Sequence, residues 1–297
     1  DNVLDMSLSI GAFHMCGLKW NGEVDCWGND TYGETQPPEG SFLQVSAGSY
    51  QSCGIDEEQN IQCWGNDYYS SQIPYGQFVK VDVGGWEGQF ALACALDIDG
   101  EIKCWGANWA NQLDVLSGPF VDVDVRYDTI CAQRDAGEVE CWGWDIYGQT
   151  NALAGSYLDY GIGWGHGCVM DSLGTVSCWG NNDYGQLSVP NGVYDVLGVG
   201  SFHSCALDKD GNTSCWGINN YGQSNAPSGT TFEDLEVGRY VTCGLSSNKE
   251  YQCWGDYSVV SSIDVDGDGA ERLVDCDDTD ASVGSYYLDG DCDGIPT

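Results

Sequence analysis

Positive charge is scarce in this chain: nine Lys and Arg stand against 46 Asp and Glu, a formal charge of −37 over 297 residues. So acidic a surface repels phosphate backbones and anionic headgroups, and no nucleic-acid partner is expected. No stretch approaches the roughly 18 apolar residues that cross a bilayer, so no membrane insertion is expected either. Histidine is rare, with three residues, and no Ser-His-Asp or Cys-His arrangement for nucleophilic catalysis is legible. The chain lacks a starting Met and a signal-type leader, and opens at Asp1 like a processed mature form. No segment carries a helical stripe.

Glycine and cysteine are abundant. The 42 glycines are about twice the usual share and point to many tight turns. The 16 cysteines sit in a chain long enough to bury its own core, so they are not the staples of a mini-protein. An even, high count suggests an oxidising compartment and a secreted or cell-surface protein.

Fourteen of the cysteines fall into seven pairs ten residues apart: Cys16/Cys26, Cys53/Cys63, Cys94/Cys104, Cys131/Cys141, Cys168/Cys178, Cys205/Cys215 and Cys243/Cys253. Each second member opens a Cys-Trp-Gly triplet, and successive triplets start 37, 41, 37, 37, 37 and 38 residues apart. Such a fixed period defines seven units. Within a unit, a short alternating segment such as 78–83 leads to a glycine turn, then to a strand through the first cysteine. A tight turn and a return strand into Cys-Trp-Gly follow, and an Asn/Asp-rich turn closes the unit. Short β-rich runs punctuated every 8 to 12 residues indicate an all-β architecture.

Pairing Cys94 with Cys104 leaves Ile98-Asp99-Gly100 as a three-residue loop, with Gly where a type I turn plus bulge needs positive φ. Gly22, Gly137, Gly174 and Gly211 occupy the same place. Counting back from the loop puts the cysteines on a non-hydrogen-bonded pair, where Cα atoms approach to about 4.5 to 5.5 Å. That suits a disulfide inside each hairpin. Metal ligation is the weaker alternative, because zinc sites prefer cysteines two to four residues apart.

The pattern Gly-x-x-His-x-Cys-Ala-Leu, continued by Cys-Trp-Gly-x-Asn-x-Tyr-Gly-Gln, resembles the repeat of the regulator of chromosome condensation family. Units five (Gly163 to Gln186) and six (Gly200 to Gln223) carry it best, and the likeness covers residues 1 to about 257. The resemblance implies a seven-bladed β-propeller over 1–257, with segment 258–297 apart from it. Unit three departs by an insertion around Trp86, and unit seven lacks the Tyr-Gly-Gln turn after Gly255. The family's founding member is a nucleotide-exchange factor on chromatin, a role this charge and cysteine content argue against. A secreted branch resembling β-lactamase-inhibitory proteins implies instead a protein-binding platform.

His14, His166 and His203 each stand two residues before a first cysteine and are expected to be framework, with a metal or catalytic cluster as the alternative. The triplet tryptophans and the aromatic in each glycine turn recur in all units and read as packing. Trp86, Trp109 and Trp144 are not demanded by the repeat, and all map to the rim opposite the hairpin tips. They are the candidate ligand contacts, with local packing as the alternative. Asp30, Asp67, Asn108, Asp145, Asn182 and Asn219 are expected to satisfy turn amides, with metal binding as the alternative.

From Asp264 the composition shifts: eleven acids and one base in residues 264–297 account for −10 of the −37. Asp264, Asp266 and Asp268 precede Gly269, and Asp275 falls at position 12 of the same loop. Carboxylates at positions 1, 3 and 5 with Gly at 6 suit Ca2+, which takes six to eight hard oxygens. Asp289, Asp291 and Asp293 restart the pattern, and Asp277, Asp278 and Asp280 could complete either loop. The segment resembles the aspartate-rich calcium repeats of the thrombospondin type 3 class, which implies a Cys276–Cys292 bridge. Position 12 of the second loop would be residue 300, so either more repeats follow or a partner completes the site. A disordered acidic tail is the alternative.

The sequence points to a secreted, non-catalytic binding or adhesion module with a protein or glycan ligand. A structural subunit of a fibre or surface layer, binding copies of itself through calcium-linked contacts, is the runner-up. An enzyme or enzyme inhibitor comes third.

Overall fold

The computed structural model describes residues 6–68, 70–85 and 91–256. Among them, 21 strands form seven three-stranded antiparallel sheets, each built from one continuous stretch in the order first, second, third strand. These are the blades of a seven-bladed β-propeller. Blade 6 is representative: Val196–Val199, His203–Leu207 and Thr213–Gly217. No described helix is long and apolar enough to cross a membrane.

The hairpin register follows the cysteines. Cys94 faces Cys104, Ala95 faces Lys103 and Leu96 faces Ile102; the Asp97 N–H then donates to the Glu101 carbonyl at 3.0 Å. All seven intra-hairpin disulfides are present: Cys16–Cys26, Cys53–Cys63, Cys94–Cys104, Cys131–Cys141, Cys168–Cys178, Cys205–Cys215 and Cys243–Cys253. Their Cα atoms stand 4.0–4.1 Å apart. That is closer than the about 4.5 Å expected of a non-hydrogen-bonded pair.

The two cysteines of a pair also differ in burial, which spacing alone does not anticipate. Each first cysteine, on a middle strand, is fully buried. Cys26, Cys63, Cys104, Cys141, Cys178, Cys215 and Cys253 lie on the third, outer strands and are only half-buried. An outer strand has a neighbour on one side only, so its side chains keep contact with solvent.

Gly100, at the third loop position, has φ +81°. In blades 2 and 7 the same left-handed position is held by Gln59 (φ 65°) and Lys249 (φ 68°), so the turn geometry overrides residue preference there.

The ring closes by packing. One apolar cluster lies at each blade interface, seven in all. At the seam, Leu8, Ile10 and Met15 of blade 1 pack with Val241 and Cys243 of blade 7. The two ends of the described chain share no sheet.

Two hydrogen bonds recur between neighbouring blades. On one rim the Trp indole donates to a carbonyl in the turn leaving the previous blade: Trp142 to Gln112 (3.0 Å), Trp179 to Gln149 (2.9 Å) and Trp216 to Gln186 (2.8 Å). At the hairpin tips, an aromatic entering the next blade donates its amide to the positive-φ residue: Phe120 to Gly100 (2.8 Å) and Phe232 to Gly211 (2.9 Å).

The first strands are innermost and touch their neighbours all the way round, the seventh meeting the first. Arg126 on blade 4 crosses the axis, donating to the carbonyls of Ile10 (3.3 Å) on blade 1 and Val237 (3.5 Å) on blade 7. In blades 1 to 4 the inner residue facing the first cysteine accepts an amide from the next blade: Ala47 to Ser9 (3.0 Å), Val83 to Ser46 (3.1 Å), Val125 to Asp82 (2.5 Å) and Ile162 to Asp124 (2.9 Å). Burial and the neighbouring Asp82 charge push the Asp124 carboxyl up to about 7. Burial, then Asp234, pushes Glu236 on blade 7 up to about 8.

Candidate functional site

Each blade's middle strand runs from the rim of the glycine turns down to the hairpin tip, so the Tyr-Gly-Gln turns and the glycine turns share one rim. Turn chemistry builds that rim. In the blade 6 turn, the Asn219 Oδ1 accepts the Ser224 amide at 3.0 Å and the Gln223 Oε1 accepts the Tyr221 amide at 2.9 Å. Asp30, Asn108, Asp145 and Asn182 likewise accept the amide five residues on, at 2.8–3.1 Å. These residues are turn framework, as the sequence suggests. For Asp67 the described contacts record no such bond.

The histidines are framework too. Each Nε2 faces a hydroxyl on the next blade: His14 with Ser52 (2.7 Å), His166 with Ser204 (3.0 Å) and His203 with Thr242 (2.7 Å). All three are fully buried. Desolvation drives His14 and His166 down to about 4 and His203 to about 3, so they are neutral at physiological pH. They do not meet at one site.

The cysteines supply no functional site either. Although half-buried, Cys26, Cys63, Cys104, Cys141, Cys178, Cys215 and Cys253 each have their sulfur bonded to the partner on the middle strand. A bridged sulfur is neither a thiolate nucleophile nor a metal ligand, so the metal-ligation alternative fails at these positions. Among the described residues no group of three or more His, Cys, Asp or Glu could hold a metal ion.

The rim's aromatics do come together. Trp109 lies 6.3 Å from Trp144, and Trp144 lies 5.5 Å from Trp164. Contact continues from Trp164 to Phe202 (5.4 Å) and from Phe202 to Tyr240 (5.7 Å, stacked). Arg239 bridges the next gap, its guanidinium 5.0 Å over Tyr240 and 5.1 Å over Phe13. Phe13 then stacks on Tyr50 at 5.0 Å. Tyr32, Tyr147, Tyr184 and Tyr221, one from each of four exit turns, lean against this chain of rings. The result is a crown running from blade 3 round to blade 2. Inside it, Gly11, Gly48, Gly84 and Gly85 with Arg126, Tyr127 and Ser201 line a shallow depression at the axis.

Of the predicted ligand contacts, Trp109 and Trp144 are thus neighbours in the crown, while Trp86 lies outside the described residues. So do the proposed calcium ligands and Cys276–Cys292. Sequence reasoning assigns Phe13, Tyr50, Trp164, Phe202 and Tyr240 to packing because they recur in every unit. They pack, but on one another and on the rim, and each is only partly buried. Tyr184 and Tyr221 are 51% and 53% exposed and Trp109 55%. An exposed Tyr in the repeated Tyr-Gly-Gln turn is the sequence signal for them.

Residues 7–34, 161–186 and 197–223 match the model of the regulator of chromosome condensation (RCC1) repeat; these are blades 1, 5 and 6. No curated protein matches the chain. Among solved structures, the chain is similar to the CRINKLY WD40 ectodomain of the Arabidopsis thaliana receptor kinase ACR4, at 24% identity. That likeness covers 84% of this chain and 97% of that one, with a TM-score of 0.68. The entire ectodomain of the Physcomitrella patens receptor kinase CR4 is 23% identical over 84% of this chain and 74% of its own, with a TM-score of 0.69. Prp20p of Saccharomyces cerevisiae is 15% identical over 84% and 81%, with a TM-score of 0.64. At such identities the likeness establishes the propeller fold.

Proposed function

We propose that the chain is a non-catalytic, extracellular binding module that engages its partner through the aromatic crown. The observation that carries this is the continuous run of ring contacts on one rim, with Trp109 55% exposed at its end. Amphipathic rings held rigid at a surface bring large contact area at little entropic cost, the usual character of a binding anchor. Seven disulfides support an oxidising, extracellular setting. The similar plant structures are receptor-kinase ectodomains, and the structure of Prp20p is described with its binding to Gsp1p and histones. The first is an extracellular setting and the second a protein-binding use, the two halves of the reading proposed here.

The segment 258–297 binds calcium in this reading. Asp264, Asp266, Asp268 and Asp275 would hold one ion, and Asp289, Asp291 and Asp293 would begin a second site. The bound ion supplies charge neutralisation and local rigidity. Calorimetric titration with millimolar calcium is expected to show uptake, and its absence removes this part of the reading. Sizing with and without calcium is expected to give one monomeric species; calcium-dependent polymers would indicate a structural subunit instead.

The binding reading is tested on arrays of glycans and extracellular proteins, comparing the native chain with the Trp109→Ala/Trp144→Ala variant. Loss of the native chain's specific signals in the variant is expected. Unchanged signals would overturn the rim assignment.

A further inference from the structure

We propose that the partner presents a basic segment, whose Lys or Arg side chains lie against the crown's rings between its carboxylates. This names the class of partner for the rim reading above and rests on it.

The crown already holds one such group. Arg239 stacks between Tyr240 and Phe13 at 5.0 and 5.1 Å, so the ring spacing accepts a guanidinium in the geometry of a cation–π contact. The distribution of charge points the same way. Lys19, Lys103, Arg134, Lys209 and Lys249 lie near the hairpin tips, each bridged to an acid there. Lys80 is tied to Asp122 on the inner strands and Arg126 to carbonyls at the axis. Among the described residues, the crown side therefore holds two cations, Arg239 between the rings and Arg126 in the depression inside them. The acids there are more numerous: Asp30, Asp67, Asp145 and Asp183 are exposed in the exit turns, beside Tyr32, Tyr68, Tyr147 and Tyr184. A rim of ring faces and carboxylates with so little positive charge attracts cations and repels anionic ligands. It differs from the tip rim, where five basic side chains already pair with acids.

The test is calorimetric titration of the oxidised full chain with a deca-arginine peptide at 150 mM salt. Three variants run beside it: Trp109→Ala/Tyr184→Ala and Asp67→Asn/Asp145→Asn on the crown, and Asp99→Asn/Glu101→Gln at a hairpin tip. Removing two exposed aromatic contacts is expected to weaken binding about tenfold. The crown charge variant is expected to weaken it several-fold, and the tip variant less than twofold. Equal losses in the two charge variants, with the aromatic variant unaffected, would mean that a polycation merely collects on an acidic surface, and would overturn the inference. Binding of a neutral oligosaccharide but not the peptide, abolished by the aromatic variant, would refute the basic partner while leaving the rim reading intact. Aromatic variants that alter no interaction with any probe would refute both.

Discussion

The indole of Trp216 donates to the backbone carbonyl of Gln186 at 2.8 Å, tying the last strand of blade 6 to the turn that leaves blade 5. Trp64, Trp142, Trp179 and Trp254 make the same bond to the residue at the same place one blade earlier. In these five triplets the Trp is therefore both the apolar filler and the polar latch of an interface.

Trp216→Phe keeps most of the packing but leaves the Gln186 carbonyl without its donor in a buried place. A loss of about 1–2 kcal/mol is expected from urea unfolding. A change below about 0.3 kcal/mol would show that the latch contributes no stability.

Gln59 and Lys249 occupy the left-handed turn position that Gly fills in the other five hairpins. Gln59→Gly and Lys249→Gly are each expected to stabilise by about 0.5–1 kcal/mol, since relief of backbone strain exceeds the added chain entropy. The converse change, Gly100→Ala, is expected to destabilise. Thermal melts of the three variants check both signs.

Removing one staple, by Cys205→Ala/Cys215→Ala, opens a hairpin of ten-residue separation. The closed-loop entropy model gives about 2–3 kcal/mol for a loop of this size. Chemical unfolding under oxidising conditions measures it.

Stability is expected to peak in mildly acidic solution. His14, His166 and His203 have folded values of about 4, 4 and 3. Their contribution is complete above the unfolded value near 6.5 and is lost as pH falls from there towards 3. Glu236 and Asp124 have folded values raised to about 8 and 7. Their contribution is complete below about pH 4 and is lost as pH rises through 7 to 8. Glu236→Gln should flatten the alkaline side of a melting-temperature profile and leave the acid side unchanged.

The fold was legible because its strongest constraint is local. Ten-residue cysteine spacing fixes the hairpin register, and Gly100 and its equivalents mark the turn without any tertiary information. Gln59 and Lys249 hid the same turn, since their side chains give no sign of a positive φ. The links between blades were harder to see. Trp216 and Gln186 lie 30 residues apart, and a backbone acceptor leaves no trace in residue identity. The path of Arg126 across the axis depends on closure of the ring. The crown was half visible: Trp109 and Trp144 stood out as irregular, while Trp164, Phe202 and Tyr240 were masked by their regularity. Recurrence in seven units indicated packing, and only the rim geometry shows that the packed rings also face solvent.

The central claim is that partners bind the crown and not the hairpin-tip rim, where Trp20 is 79% exposed. The direct measurement is the dissociation constant of one ligand for the native chain, Trp109→Ala/Tyr184→Ala and Trp20→Ala, each shown by circular dichroism to be folded. At least tenfold weakening in the crown variant, with Trp20→Ala unchanged, is the expected result. Weakening by Trp20→Ala with an unaffected crown variant would contradict it.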